Sequence, residues 1–214
     1  MRISELSDTT GLPVATIKYY LREGLLHPGR KLAERMAEYD ESHVRRLGLL
    51  RALRELGDVP VDKLRALVAV AEGGTGTVHE MFAGAANALA PRPAPAGPER
   101  EITRQVADDL IARAGWTSVG TDSVDRDNLA TVLEAIVRYG THPADPTEIA
   151  PYLEVADRIA RYEIGHLDAG KRRLELLEEM VVGQVVFGQL LLVLRRLAEE
   201  HHSATRFGAG PGRP

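Results

Sequence analysis

The 214-residue sequence contains no cysteine. Disulfides, thiolate-bound zinc, iron–sulfur clusters and thiol catalysis are excluded on that count alone. Aromatics are scarce: one tryptophan, three phenylalanines and six tyrosines. Any place where two of them adjoin therefore calls for an explanation. Long apolar runs are also missing. The longest block, "MVVGQVVFGQLLLVL" from Met180 to Leu194, is interrupted by two glutamines and falls short of the roughly 20 residues a spanning helix needs. At the N-terminus Ile3, Leu6 and Leu12 are spaced among charges, unlike the apolar stretch of a signal peptide. No P-loop, nucleophile elbow, HExxH or paired-carboxylate pattern is present. The expectation is a soluble, cytoplasmic protein that is not an enzyme, uses no cofactor and has no membrane partner.

What is present is an ordinary globular composition, 44% apolar and 27% charged, with a formal charge of −4. The charge is unevenly placed. Residues 1–70 hold 12 Lys/Arg against 10 Asp/Glu, and the remaining 144 hold 15 against 21. A mildly basic N-terminal third on an acidic body suits contact with an anionic polymer at one end.

Hydrophobic spacing resolves the first third into short helices. In "ISELSDTTG" Ser4 is a candidate N-cap and Gly11 a stop; Pro13 then opens a second helix with Val14, Ile17 and Leu21 on one side and Gly24 at its end. Two short helices joined by a tight glycine-containing turn make a helix-turn-helix. Pro28-Gly29 marks a turn, and the following stretch fits either a small β-wing or, over Leu32 to Glu38, a helical turn. Asp40 caps a helix with a leucine face at Leu47, Leu50, Leu53 and Leu56, which Gly57 closes at the position after the cap. Another helix starts at Pro60.

Beyond "EGGTGT" (72–77) comes a short alanine-rich helix over 78–89 and the stiff "APRPAPAGP" (90–98). Further helices follow around Ile102 to Leu110, Leu129 to Ile136 and Leu153 to Ala160. "DPTE" (145–148) is a helix-start signal, and a long last helix extends from about Asp168 to His201. The expected organisation is a mainly α fold: residues 1–72 as a winged helix-turn-helix, 73–98 as a linker with a short helix and a hinge, 99–202 as an all-helical domain, and 203–214 as a disordered tail.

With Val14, Ile17 and Leu21 turned inward, the second helix exposes Ala15, Thr16, Tyr19 and Arg22, flanked by Lys18 and Tyr20. Tyrosine hydroxyls and Lys or Arg side chains are the usual donors to phosphate oxygens. The adjacent tyrosines therefore suggest a phosphate-clamping edge. The same pattern is open to one core and one surface tyrosine, and to a module that docks protein instead of DNA.

The stretches "RISELSDTTGLPVATIKYYLREGLL" and "YDESHVRRLGLLRALRELG" resemble the N-terminal domain of the MerR family of bacterial transcription regulators. Thr16, Lys18, Tyr19, Tyr20, Glu23, Gly24, Leu25, Tyr39 and Asp40 stand at that family's pattern positions. The resemblance covers residues 2–70 and implies a homodimeric regulator that binds double-stranded promoter DNA on an inverted repeat. It further implies deformation of the spacer between promoter elements so that RNA polymerase engages, a form of shape readout. Carried onto this sequence, Lys18, Tyr19, Tyr20 and Arg22 contact phosphates and Thr16 faces base edges. Ala37 occupies the place of the family's wing arginine, so Arg30 or Arg35 is expected to serve the wing. Ala15 and Pro13 replace residues that many members use for contacts, and the break at Gly73-Gly74 departs from the family's long dimerising helix.

The seven histidines of the chain include no i, i+4 pair, so no metal site is expected anywhere in it. The apolar block at the last helix suggests a dimer seam through Val182, Val185, Val186, Gln189, Leu190 and Val193, with Gly183 and Gly188 permitting close approach. Trp116, Tyr139, Tyr152, Tyr162 and Phe187 are candidates for a small-molecule effector pocket. The rival class is a helical adaptor whose helix-turn-helix binds protein.

Overall fold

The computed structural model describes residues 1–33, 36–73, 76–93, 95, 97, 100–139 and 148–208, without the side chains of Ala71 and Glu72. Contacts divide the chain into two units, Met1–Arg65 with Glu178–Pro214, and Ala66–Leu177.

The first unit opens with α1 (Ile3–Thr10) and α2 (Val14–Arg22). Gly24 ends α2 in the left-handed region, φ 69°. There the Leu25 N–H reaches back to the Tyr20 carbonyl at 2.9 Å and the Gly24 N–H to that of Leu21 at 3.3 Å. This paired closure needs a residue free of the Cβ penalty. Strands β1 (Arg30–Ala33) and β2 (Met36–Glu38) form an antiparallel hairpin with Arg30 opposite Glu38 and Lys31 opposite Ala37. The stretch left open between wing and helical turn is thus a wing.

Helix α3 (Glu41–Glu55) is capped by Asp40, whose carboxylate accepts the Ser42 N–H at 2.9 Å. Its leucine face buries Leu47, Leu50 and Leu53, and Leu6, Ile17, Leu25 and Leu26 are likewise buried in this unit. Leu56, expected on that face, is exposed because the helix ends there and the chain turns away. Helix α4 (Val61–Glu72) starts in this unit and buries Leu64. Full burial of each such leucine contributes roughly 1.5–3 kcal/mol.

The second unit contains α5 (Val78–Leu89), α6 (Arg100–Arg113), α7 (Val124–Tyr139) and α8 (Ala150–Gly165). Thr77 caps α5 through the Glu80 N–H, and the Glu80 carboxylate accepts the Thr77 N–H in return. Ala107 and Leu110 of α6 pack on Ala130 and Leu133 of α7, with Ile149 and Leu153 against the cluster. Small residues on both helices allow this close α6–α7 contact. Beside it the Arg100 guanidinium donates to Glu134 at 2.8 Å and to Thr131 at 2.9 Å. The expected "DPTE" start signal lies outside the described residues except for Glu148.

A continuous helical run of 35 residues spans Arg173–Phe207. It comprises α9 (Arg173–Val182), a π-helical turn (Gly183–Phe187) and α10 (Gly188–Phe207). It starts later and ends later than the spacing predicts, since Asp168 and Gly170 form a turn and the helix continues through Ser203 to Phe207.

Candidate nucleic-acid interface

Helix α2 presents one open side. Lys18 and Arg22 are exposed, and Thr16 and Tyr19 are half-buried beside them. The Arg22 guanidinium lies 5.3 Å from the centre of the Tyr19 ring, a cation–π geometry that gives the cation and the phenol a shared platform. Tyr20 is a correction to the expected clamp. It is 6% exposed and belongs to the core with Ile17 and Leu6. Burial pushes its hydroxyl pKa up, with Arg54 opposing. The ring sits 5.8 Å from that of Tyr19, tilted by 52°. The pair thus divides into one core and one surface tyrosine, because consecutive helical residues lie about 100° apart.

On the wing, Arg30 is exposed and pairs across the hairpin with the Glu38 carboxylate, its Nε donating at 3.1 Å. That bond and charge hold the Glu38 carboxyl below its usual pKa. Arg35 lies outside the described residues. Lys31 was missed by sequence reasoning. It is exposed and directly opposite Ala37, so the two share one face of the hairpin. The strand alternation, once Ala37 was recognised at the arginine position, carried the signal that locates it.

The base of the wing is polar and closely packed. His27 Nε2 lies 2.9 Å from Ser42 Oγ, which donates to Asp40 Oδ1 at 2.5 Å; that oxygen is 2.9 Å from His43 Nδ1. Burial, then the neighbouring His43, lowers the His27 pKa. The Ser42 hydroxyl, His43 and the Ser42 N–H hold Asp40 well below the ordinary carboxylate range. Tyr39 meets the His43 ring edge-on at 5.0 Å.

Helix α3 and the turn after α2 are tied to the long helix within the same unit. Arg46 of α3 donates from Nε to the Leu25 carbonyl at 3.1 Å and from Nη1 to Glu178 at 3.3 Å. Gly57 lies so close to the π-helical turn that a Cβ there would be 2.2 Å from Val185 Cγ1.

The remaining candidates are scattered. Val182, Val185 and Val186 are half-buried, whereas Gln189, Leu190 and Val193 are exposed. Nothing lies within 4 Å of a Cβ built on Gly188. Trp116 is half-buried and donates from Nε1 to Asp157 at 3.0 Å. Tyr139, Tyr152 and Tyr162 stand in solvent instead of lining an enclosure with it, and Phe187, also exposed, belongs to the first unit.

Two short helices, the second open along one side and followed by an antiparallel wing and a supporting helix, define a winged helix-turn-helix module. Residues 1–69 match the MerR HTH family regulatory proteins. The HTH-type transcriptional regulator ZntR homolog of Haemophilus influenzae is 31% identical over 68 residues, 32% of this chain and 50% of that protein. Nodulation protein NolA of Bradyrhizobium elkanii is 41% identical over 56 residues, 26% of each chain. The matched region thus spans half the length of the first of these relatives and about a quarter of the second. The crystal structure of the putative transcriptional regulator SCO5550 from Streptomyces coelicolor A3(2) is similar throughout, with a TM-score of 0.78 and 33% identity over 99% of this chain and 100% of that one. Residues 1–69 thus form a helix-turn-helix domain of the MerR family of regulatory proteins.

Proposed function

We propose that the protein is a cytoplasmic transcription regulator that binds promoter DNA as a homodimer, with α2 in the major groove and the wing on the adjacent backbone. The observation that carries this is the open side of α2, an arc along which Lys18 and Arg22 are exposed, Arg22 stacks on Tyr19, and Tyr19 and Thr16 are half-buried toward the other edge. Lys18, Tyr19 and Arg22 bind phosphates, Thr16 faces bases, and Arg30 serves the wing. Lys31 takes the place left by Ala37.

A second copy is the expected partner of α10. This helix buries none of its residues, and Leu190 to Leu194 are each 41–52% exposed. So much adjoining apolar surface is unfavourable in water and marks an interaction site. Two copies joined there place two α2 helices on one DNA, as an inverted repeat requires. Engagement of RNA polymerase at the same promoter is supported by family membership alone.

The test is titration of the purified protein with DNA from upstream of its own gene and with a scrambled duplex, each at two salt concentrations. Tight binding that prefers the native duplex and weakens with salt supports the regulator. Affinity for neither duplex, or affinity indifferent to salt, refutes it in favour of a protein-docking adaptor, because phosphate neutralisation makes log affinity fall with log salt. Sedimentation of the free protein decides the dimer: a monomer at micromolar concentration overturns the α10 seam.

A further inference from the structure

We propose that His27, Asp40 and His43 form a binding site for a divalent transition cation of the zinc class at the base of the wing. The three residues are separated in sequence, yet one donor atom of each lies within 4.8 Å of the other two. His27 comes from the loop before β1, Asp40 is the cap of α3, and His43 is in that helix's first turn. The His27 and His43 rings are 3.9 Å apart between centres.

A second observation points to a ligand. The His43 side chain is 4% exposed, and its Nε2 is buried with no hydrogen-bond partner. A buried, unsatisfied imidazole nitrogen is uncommon and costs free energy. His43 Nδ1 is already engaged by the Asp40 N–H at 3.1 Å and faces the Asp40 carboxylate at 2.9 Å, so Nε2 is the ring nitrogen left for an ion, on a ring that lies against a second imidazole. Two imidazoles and one carboxylate select a borderline ion; magnesium and calcium prefer oxygen ligands throughout.

The geometry also indicates what binding changes. Zinc ligands stand about 2.0–2.2 Å from the metal, so neighbouring donors in a tetrahedral set are about 3.4 Å apart. With the donor atoms within 4.8 Å of one another, the cluster has to contract by at most about 1.4 Å. Asp40 and His43 are fixed by the start of α3, whereas His27 is exposed on a loop, so His27 moves inward. Its present contact is the Ser42 hydroxyl, and a water completes the set. The ion would tie the loop that leads into β1 to the cap of α3. The wing strand carrying Arg30 and Lys31 starts three residues after that ligand.

The full chain, freed of metal by a chelator, is titrated with cobalt(II), whose visible bands report tetrahedral nitrogen and oxygen ligands, and with zinc(II) against a chromophoric competitor. DNA is absent, so the result does not depend on the proposed regulator function. One equivalent is expected to bind. His27→Gln, an exposed loop substitution whose fold is checked by far-UV circular dichroism, should weaken binding at least tenfold, the scale seen when even supporting groups of a metal site are lost. The double variant His201→Ala/His202→Ala removes the adjacent pair on α10 and should bind as the parent does. No stoichiometric binding, unchanged affinity in the His27 variant, or loss confined to the α10 variant each overturns the site.

Discussion

Replacing Gly57 by alanine tests how the helix-turn-helix is joined to the long helix. Gly57 does not adopt a positive φ, so the alanine backbone is unstrained and would ordinarily stabilise by about 0.4–1 kcal/mol through the unfolded state. The added Cβ, however, would lie 2.2 Å from Val185 Cγ1, 3.0 Å from the Leu53 carbonyl oxygen and 3.2 Å from Val59 Cγ2. Valine has no flexible end to withdraw, and overpacking of this kind costs about 1–3 kcal/mol. The steric cost wins, for a net loss of about 1 kcal/mol and a fall in Tm of roughly 2–4 °C at this chain length. Val185→Ala alone should cost about 1 kcal/mol for its two methyls. In the double variant the collision is gone, so the loss should be about 1 kcal/mol smaller than the sum of the singles. Urea unfolding of the four proteins measures the cycle. If Gly57→Ala stabilises the chain, or the two losses add to within about 0.3–0.5 kcal/mol, the close approach is refuted.

Lys18→Ala and Lys31→Ala should each weaken native and scrambled duplexes alike and reduce the salt slope by about one; Thr16→Ala should instead change the preference between sites, and equal slopes in parent and lysine variants would remove those residues from the interface. Arg100→Met leaves the Glu134 carboxylate, 8% exposed, without the guanidinium beside it and should cost about 3 kcal/mol, with Arg100→Met/Glu134→Leu losing less; chemical denaturation reads both. Asp58→Gly should stabilise by about 0.5–1 kcal/mol, since Asp58 holds φ 47° where glycine carries no Cβ penalty, and a lowered Tm would refute it. Arg161 and then Trp116 hold the Asp157 carboxyl below its ordinary value of 3.8. Its stabilising contribution is therefore full above that value and lost as pH falls through the lower folded one. Emission from Trp116 should change below pH 3.8 in the parent, and a transition that persists unaltered in Asp157→Asn would assign it elsewhere.

The first 60 residues were legible because local rules and tertiary structure agree there. Gly24 is a glycine for its φ, Asp40 is a cap, and the leucines of α3 repeat at helical spacing on the buried side. Gly57 shows where such rules mislead. It was expected to close α3 in the left-handed conformation, but Asp58 takes that conformation and Gly57 provides room for Val185. Space required by a residue more than a hundred positions away leaves no local mark. The same holds at the wing base, where His27 and His43 share no helical spacing and meet only because the hairpin folds back onto α3. Neighbouring charge suggests an outward Tyr20, but its helical phase with Ile17 sets it inward. For the aromatics of the second unit, scarcity suggested a common pocket, yet three of the tyrosines finished on helix surfaces.

The π-helical turn between α9 and α10 has a consequence for angular phase. A π turn accommodates one residue more than an α turn, and one residue of α-helix corresponds to about 100° of rotation and 1.5 Å of rise. The apolar stripe of α10 therefore points about a quarter-turn away from where an unbroken α-helix continuing from Glu178 would direct it. Deleting one residue between Gly183 and Phe187 would swing Leu190, Val193 and Leu197 to a new azimuth while leaving their chemistry intact. Five residues act as the setting screw for the 20 of α10 that follow them.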